Sequence, residues 1–209
     1  QENKGIQIKK EIEELGSKCL YVKADLSKVE ECKKIVNLTD QKFGTIHSLV
    51  NVAGYTERGT VISATLENYE NNFNVNARAP FILIQETVKI MIRDKNKGTI
   101  ANLLSMAMYS GMPFLVAYSG SKAALAIMTK NIANSLTGHQ IRVNALNIGW
   151  TDTPAEHDIQ KRVHSKGDDW LEKEESKVPF KRLTKTIDVA KGLAFMCSEE
   201  SGLMTGSVI

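Results

Sequence analysis

The sequence predicts a three-layer α/β/α fold built around a doubly wound, mostly parallel sheet. Short apolar runs of strand character alternate with segments of helical periodicity, and the intervening segments are long enough for right-handed crossovers. No internal repeat or low-complexity tract interrupts that alternation. The 209 residues are 42% hydrophobic and 24% charged, a balance that suits a single domain spanning 1–209 with one sizeable core.

The elements come in order along the chain. Ile8, Ile12 and Leu15 recur at helical spacing, and Gly16 stands where a left-handed cap is usual. The compact run 19–24 reads as a strand. Asp25, Leu26 and Ser27 suit a turn and a helix start ahead of Val29, Cys32, Ile35 and Val36, and this helix is expected to end at Gly44. Residues 48–52 have the apolar density of a buried strand, which stops at Ala53 and Gly54 before a polar loop reaching about Ser63. Between Leu66 and Ile92 the positions Phe73, Val75, Phe81, Leu83, Ile84, Val88 and Met91 fit a helix, with Pro80 as a kink or junction. Gly98 introduces a strand at 99–104, residues 117–136 read as a helix rich in Ala, Ile and Met, and 141–148 as a further strand. Residues 150–180 carry two Trp, two His and many charges with no strand, and read as an inserted substrate-binding lid. A helix near 187–197 and a strand-like 206–209 resume the rhythm. No G-x-G-x-x-G turn stands between a strand and a helix, so a first strand-helix-strand unit is expected to precede Gln1, and both ends of a larger gene product are expected to lie outside this chain.

Composition excludes several function classes. Lys and Arg number 27 against 24 Asp and Glu, a net +3 without a long basic run, which argues against nucleic acid or an anionic membrane as partner. No apolar stretch approaches the ~20 residues of a spanning helix, and the polar opening from Gln1 to Lys10 is not a signal peptide. Cys19, Cys32 and Cys197 lack metal-ligand spacing and read as buried free thiols of a cytoplasmic protein, with no metal site.

The sharpest chemical signal is Ala117-Tyr118-Ser119-Gly120-Ser121-Lys122 at the start of a helix. Tyr118 and Lys122 are one turn apart and share a face. A phenol with a pKa of about 10 is a poor acid-base catalyst at neutral pH, and a neighbouring ammonium would bring it toward the working range. Alone, such a pair is two residues on a helix surface. Ser105 at the end of the preceding strand changes the reading, because a parallel sheet collects its ligands there.

In this order and spacing, Asp25-Leu26, Asn51-Val52-Ala53-Gly54, Asn74-Val75-Asn76, Asn102-Leu103-Leu104-Ser105, the Tyr118 to Lys122 box, and Arg142-Val143-Asn144 leading to Gly149-Trp150-Thr151-Asp152-Thr153 resemble the short-chain dehydrogenase/reductase family along essentially the whole chain. The resemblance implies a Rossmann-type fold and NAD or NADP as cofactor. It implies Asn76, Ser105, Tyr118 and Lys122 as the catalytic set, with Asn76 bending its helix and holding a water near Lys122. Asp25 and Leu26 would meet the adenine, Asn51, Ala53 and Gly54 would support the cofactor and the central strand, and Gly149, Thr151 and Thr153 would complete the cofactor site together with Tyr118 and Lys122. Tyr118 would exchange a proton while hydride passes between the nicotinamide and a carbon bearing a hydroxyl or carbonyl. Lys122 would bind the ribose, and Ser105 would hold the reacting oxygen. Val52, Leu104 and Ile148 depart from the family pattern without removing a catalytic group.

Trp150, Asp152, His157, His164, Asp168, Asp169 and Trp170 suggest a polar pocket lining, and the run from Gly149 to Phe180 resembles bacterial sugar and polyol dehydrogenases of the family. Trp150 joins Ser105 and Tyr118 as an expected substrate contact. Two alternatives stay open: reduction of a ketone or 3-oxoacyl thioester, and a non-catalytic structural or regulatory subunit. The apolar helices at 71–91 and 119–136 are, by the resemblance, the contacts of a homodimer or homotetramer.

Overall fold

A computed structural model of the chain describes residues 2–209. Helix α1 (Glu2–Glu14) ends at Gly16, whose φ of 86° is the expected left-handed cap. The next run, 19–24, corrects the sequence reading: it is joined to no sheet, and none of its residues is fully buried. A strand needs a neighbour's carbonyls as much as its own apolar residues, and no described strand runs beside this one. Helix α2 (Val29–Phe43) buries Cys32 and Val36 and closes on Gly44, again left-handed at φ 80°.

Strands β1 (Ser48–Asn51), β2 (Thr99–Ser105) and β3 (Arg142–Ile148) form one parallel sheet in the order β1-β2-β3. Between β1 and β2 run α3 (Leu66–Phe73) and α4 (Ala79–Arg93), joined without a break by a π-turn at Asn74–Arg78. The irregularity expected at Pro80 thus falls earlier. Pro80 follows directly on the π-turn, in the first turn of α4, so the widened turn sits where the continuous helix has a residue with no N–H to donate. Helix α5 (Val116–Ser135) connects β2 to β3.

The side-chain alternation of β2 explains the layering. Ile100 and Leu104 point to one face, where Met91 of α4 and Leu125 of α5 pack, while Ala101 lies with Leu193 and Met196 on the other. Those two belong to α8 (Thr186–Cys197), so helices cover both faces as expected. Helix α2 packs on α4 through Cys32, Val36, Ala79 and Leu83. β1 is less buried than its composition suggested, with Val50 42% exposed.

Residues 150–180 do contain a strand, contrary to expectation. Thr151–Asp152 (β4) pairs in parallel with Thr184–Lys185 (β5), and between them lie α6 (Pro154–Arg162) and α7 (Trp170–Glu175). Two-residue strands leave no periodicity to read. The terminal 206–209 run beside β3, with Gly206 N–H donating to Val143 O at 2.8 Å and Ile209 N–H to Ala145 O at 3.1 Å. The three cysteines are free thiols, of which Cys32 is buried and Cys19 and Cys197 are partly exposed. Among the described residues there is no group of His, Cys, Asp and Glu fit for a metal, and no helix long and apolar enough to cross a membrane.

Candidate active site

The C-terminal ends of β1, β2 and β3 and the start of α5 converge on one region. A buried ladder of amides fixes their register: Asn51 Nδ2 donates to Asn102 Oδ1 at 2.8 Å, Asn102 Nδ2 to Thr129 Oγ1 at 2.9 Å, and Thr129 Oγ1 to Leu125 O at 2.8 Å. Asn51 is thereby tied to β2. Unpaired amides here would cost about 1–3 kcal/mol each, so the chain is held to one alignment of β1, β2 and α5.

Asn76 lies in the π-turn and is fully buried. Its Oδ1 accepts from Tyr55 N–H at 2.8 Å, and its Nδ2 donates to Tyr55 O at 2.8 Å and to Ser121 Oγ at 2.9 Å. The amide thus clamps the loop after β1 to the residue before Lys122. The helix carries a π-turn at this residue, and the side chain is committed to Tyr55 and Ser121.

Lys122 is 4% exposed, and its Nζ donates to Leu103 O at 2.8 Å. Burial pulls its ammonium down to about 8. Burial likewise raises the Tyr118 phenol above its ordinary value, partly countered by the neighbouring Ser105 hydroxyl. The expected lowering of the phenol by the ammonium is therefore not present from protein groups alone. Desolvation dominates both residues. Ser105 ends β2 and accepts from Ala107 N–H at 3.2 Å, which orients its hydroxyl at the mouth of the sheet.

Ser105 and Tyr118 line a cavity of about 680 Å³, together with Arg58, Trp150, Glu156 and Gln160. Ile148, Gly149, Thr151 and Thr153 also reach its wall. Thr153 caps α6, accepting from Glu156 N–H at 3.2 Å, and Thr151 Oγ1 donates to Gly149 O at 3.1 Å. Asp25 is exposed and turns back on its own loop, accepting from Ser27 N–H at 3.0 Å and from Ser27 Oγ at 2.7 Å. Leu26 lends its carbonyl to Cys32 Sγ at 3.5 Å.

The residues suggested as a polar lining divide sharply. Trp150 and His164 line the cavity, whereas Asp168 and Asp169 are exposed and paired with Lys161 and Lys173. Trp170 is 1% exposed and is the core of the 150–180 segment, stacked on Trp150 at 5.8 Å between ring centroids. Its Nε1 donates to His157 Nδ1 at 3.2 Å, which leaves His157 Nε2 as the donor to Asp152 Oδ1 at 2.8 Å. Those aromatic and charged residues build the segment rather than the pocket.

Sequence reasoning missed Arg58, Glu156 and Gln160. Arg58 belongs to the loop after β1, and its partner Glu156 is 98 positions away. Arg142 and Asn144, carried in the motif, prove structural: Arg142 Nη1 donates to Ser201 Oγ at 2.7 Å and Nη2 to Ser198 O at 2.9 Å, and Asn144 Nδ2 donates to Met204 O at 2.8 Å.

A protein family described as enoyl-(acyl carrier protein) reductase matches residues 1–209. The chain belongs to the short-chain dehydrogenase/reductase family. It is 32% identical over 210 residues to an uncharacterized oxidoreductase of Thermotoga maritima, covering all of this chain and 81% of that one. It is 33% identical over 200 residues to the 3-oxoacyl-[acyl-carrier-protein] reductase FabG of the same organism, covering 96% of this chain and 78% of the relative. The structure of an NAD+-bound xylitol dehydrogenase superposes with a TM-score of 0.89 at 23% identity, over 100% of this chain and 84% of that one, a likeness of fold.

The family comprises oxidoreductases that act on CH–OH groups with NAD or NADP. The residues present fit such a group. Among the described residues Leu103 O is the one acceptor on Lys122 Nζ, so two of its three N–H donors are free. Gly54 leaves open the space above them, since a side chain there would touch Lys122 Nζ at 3.8 Å and Asn76 Oδ1 at 3.6 Å.

Proposed function

We propose that the chain interconverts an alcohol and a carbonyl on a small polar substrate such as a sugar or polyol, using NAD or NADP. When bound, the cofactor gives or takes the hydride. The protein does the rest. Ser105 Oγ holds the reacting oxygen, and Tyr118 exchanges its proton. Lys122 would hold the ribose hydroxyls with its two free N–H groups, under Gly54 and beside the clamp made by Asn76. Asn51 and Ala53 would keep the end of β1 in place, with Gly149, Thr151 and Thr153 flanking the cofactor from the end of β3 and Asp25 and Leu26 lying toward the adenine.

One observation carries this reading: Ser105 and Tyr118 stand together in the wall of a single cavity, with a buried, partly unpartnered Lys122 one helical turn away. The test pairs two variants of the full-length protein. Tyr118→Phe should abolish turnover with little change in cofactor affinity, whereas Lys122→Ala should impair both. Turnover like wild type in Tyr118→Phe would sink the acid-base role.

A second reading, reduction of a ketone or 3-oxoacyl thioester, draws support from Met106, Met112 and Phe114 in the same wall. A polyol panel against a ketone and acyl-thioester panel separates the two. We further read 1–209 as one domain with 150–180 as its lid, and the protein as a cytoplasmic homodimer or homotetramer. Exposed apolar residues on α3 and α5, Tyr69 and Ile127 among them, support the assembly.

A further inference from the structure

Trp150 stands in the wall of the cavity that holds Ser105 and Tyr118, and 39% of it is open to solvent. Two contacts set the plane of its ring. Its Nε1 donates to Glu156 Oε1 at 2.8 Å, and the ring stacks on Trp170 with 5.8 Å between centroids and 28° between planes. A single hydrogen bond at the edge of an indole leaves the ring free to swing about it, so the stack is what fixes its orientation. Trp170 is the support, although it does not itself line the cavity.

What holds Trp170 is one nitrogen. The residue is 1% exposed, and a buried indole has a single N–H to give. That hydrogen goes to His157 Nδ1 at 3.2 Å, with the imidazole edge-on to the indole at 74° and 4.8 Å between centroids. An imidazole nitrogen accepts only when bare, and the bond on the other side of the ring decides which nitrogen that is. His157 Nε2 lies 2.8 Å from Asp152 Oδ1. Lys185 Nζ, donating to Asp152 Oδ2 at 2.9 Å, is foremost in holding that carboxyl below its usual range, and His157 adds to the effect. Asp152 is therefore ionised and can only accept, so Nε2 carries the hydrogen and Nδ1 is left bare for Trp170. Lys185 is fixed in turn by Glu175 Oε1 at 2.7 Å. The line Lys185, Asp152, His157, Trp170, Trp150 thus runs from β5 through β4, α6 and α7 to the cavity wall, and only its last member lines the cavity.

Resting on the oxidoreductase reading above, we propose that His157 is a positioning residue that sets the orientation of Trp150 through Trp170, and with it the fit of the substrate in the cavity. It lies outside the cavity wall and acts through another side chain. Its part is to give Trp170 an acceptor that Asp152 keeps available, so that the stacked indoles hold one arrangement as substrate enters and leaves. KM depends on it, and the hydride step does not.

The test uses full-length protein with NAD+ and NADP+, and takes the best wild-type substrate from xylitol, sorbitol, glucose and ethyl acetoacetate. His157→Leu removes both nitrogens. His157→Gln sets an amide oxygen and nitrogen about as far apart as the two ring nitrogens, so it can accept from Trp170 and donate to Asp152. KM should rise about tenfold in the Leu variant, the factor for one lost hydrogen bond, with kcat within about twofold. In the Gln variant KM should return to within about threefold of wild type. Stacked indoles also couple optically. The near-ultraviolet circular dichroism that Trp150→Ala removes from wild type should be lost in His157→Leu and kept in His157→Gln. In the Trp150→Ala background, His157→Leu should change KM by less than about twofold, because the residue it acts through is gone. Lower kcat or thermal stability with KM unchanged would overturn the assignment, as would an unaltered indole signal or a KM effect that persists in full without Trp150. His157→Phe, which keeps a ring against Trp170 but no nitrogen, replaces the Leu variant if that one does not fold. A wild type that turns over none of the four substrates, yet loses its indole signal in His157→Leu, would retire the substrate classes proposed above and leave the hold of His157 on Trp150 standing.

Discussion

At Lys122 a charge is held where water scarcely reaches it, with one carbonyl as its protein partner. Its ammonium is pulled from 10.5 to about 8, and at 1.36 kcal/mol per unit that depression costs the folded state about 3 kcal/mol at neutral pH. The sign is set by the protons bound. Below pH 8 both folded and unfolded chains carry the proton, and the full cost applies. Between about 8 and 10.5 the unfolded chain keeps it and the folded one releases it, so the penalty fades as pH rises. Lys122→Met removes the charge but strands Leu103 O, a loss of about 1 kcal/mol. The variant should therefore be inactive and yet more stable than wild type by about 2 kcal/mol at pH 7, the pattern of a site whose chemistry is kept at the expense of stability. Denaturant midpoints at pH 7 and pH 10 check this: the advantage should vanish at the higher pH. A variant less stable at pH 7 would show that the hydrogen bond to Leu103 outweighs the desolvation.

Among the elements, the α3–α4 junction matters most for the site, because the π-turn delivers Asn76 to Tyr55 and Ser121 together. Asn76→Ala would leave a partly buried N–H and C=O of Tyr55 unpaired and free Ser121 Oγ from its donor. The expected cost is about 2–4 kcal/mol, with amide exchange at Tyr55 and at the start of α5 quickening more than at the centre of β2. Uniform quickening, or none, would mean that Asn76 is no local clamp. The same junction shows what was legible in advance. Tyr118, Lys122 and Ser105 could be singled out because a helical turn between two residues and the end of an apolar run are local geometry, whereas Asn76 came only with the family resemblance. Arg58, Glu156 and Gln160 could not, since an ion pair spanning 98 positions has no local signature. The run 19–24 was misread for the converse reason. Apolar composition describes a segment's fit to a sheet and says nothing of whether a neighbour is there to pair with it. Asp168, Asp169 and Trp170 are consecutive in sequence, yet two face solvent and one is buried, a division set by how α7 is oriented.

For the molecule as a whole, a single arginine ties the sheet to the C-terminal residues 196–204. Arg142 begins β3, and its guanidinium reaches Ser201 Oγ at 2.7 Å, Ser198 O at 2.9 Å, and the carbonyls of Met196 and Met204 at 3.3 Å each. These acceptors mark the end of α8 and the turn before 206–209, so one planar fork sets where α8 lies against β2 and where the last residues meet β3. Lysine has the charge without the fork and could satisfy one or two of these acceptors at most. Arg142→Lys should accordingly cost about 1–3 kcal/mol, and Arg142→Ala about 3 kcal/mol or more. The damage should be directional. Proteolysis should become faster in 198–206, and exchange faster at the Gly206 and Ile209 amides that bond to β3, while the Asn51–Asn102–Thr129 ladder on the opposite side of β2 keeps its protection. Catalysis tests the same separation. Tyr118 and Lys122 depend on α5 and β2, not on the arginine, so kcat should survive in Arg142→Lys at temperatures where the variant is folded. A collapse of kcat with intact thermal stability would instead mean that α8 and the terminal segment position the active site through β3.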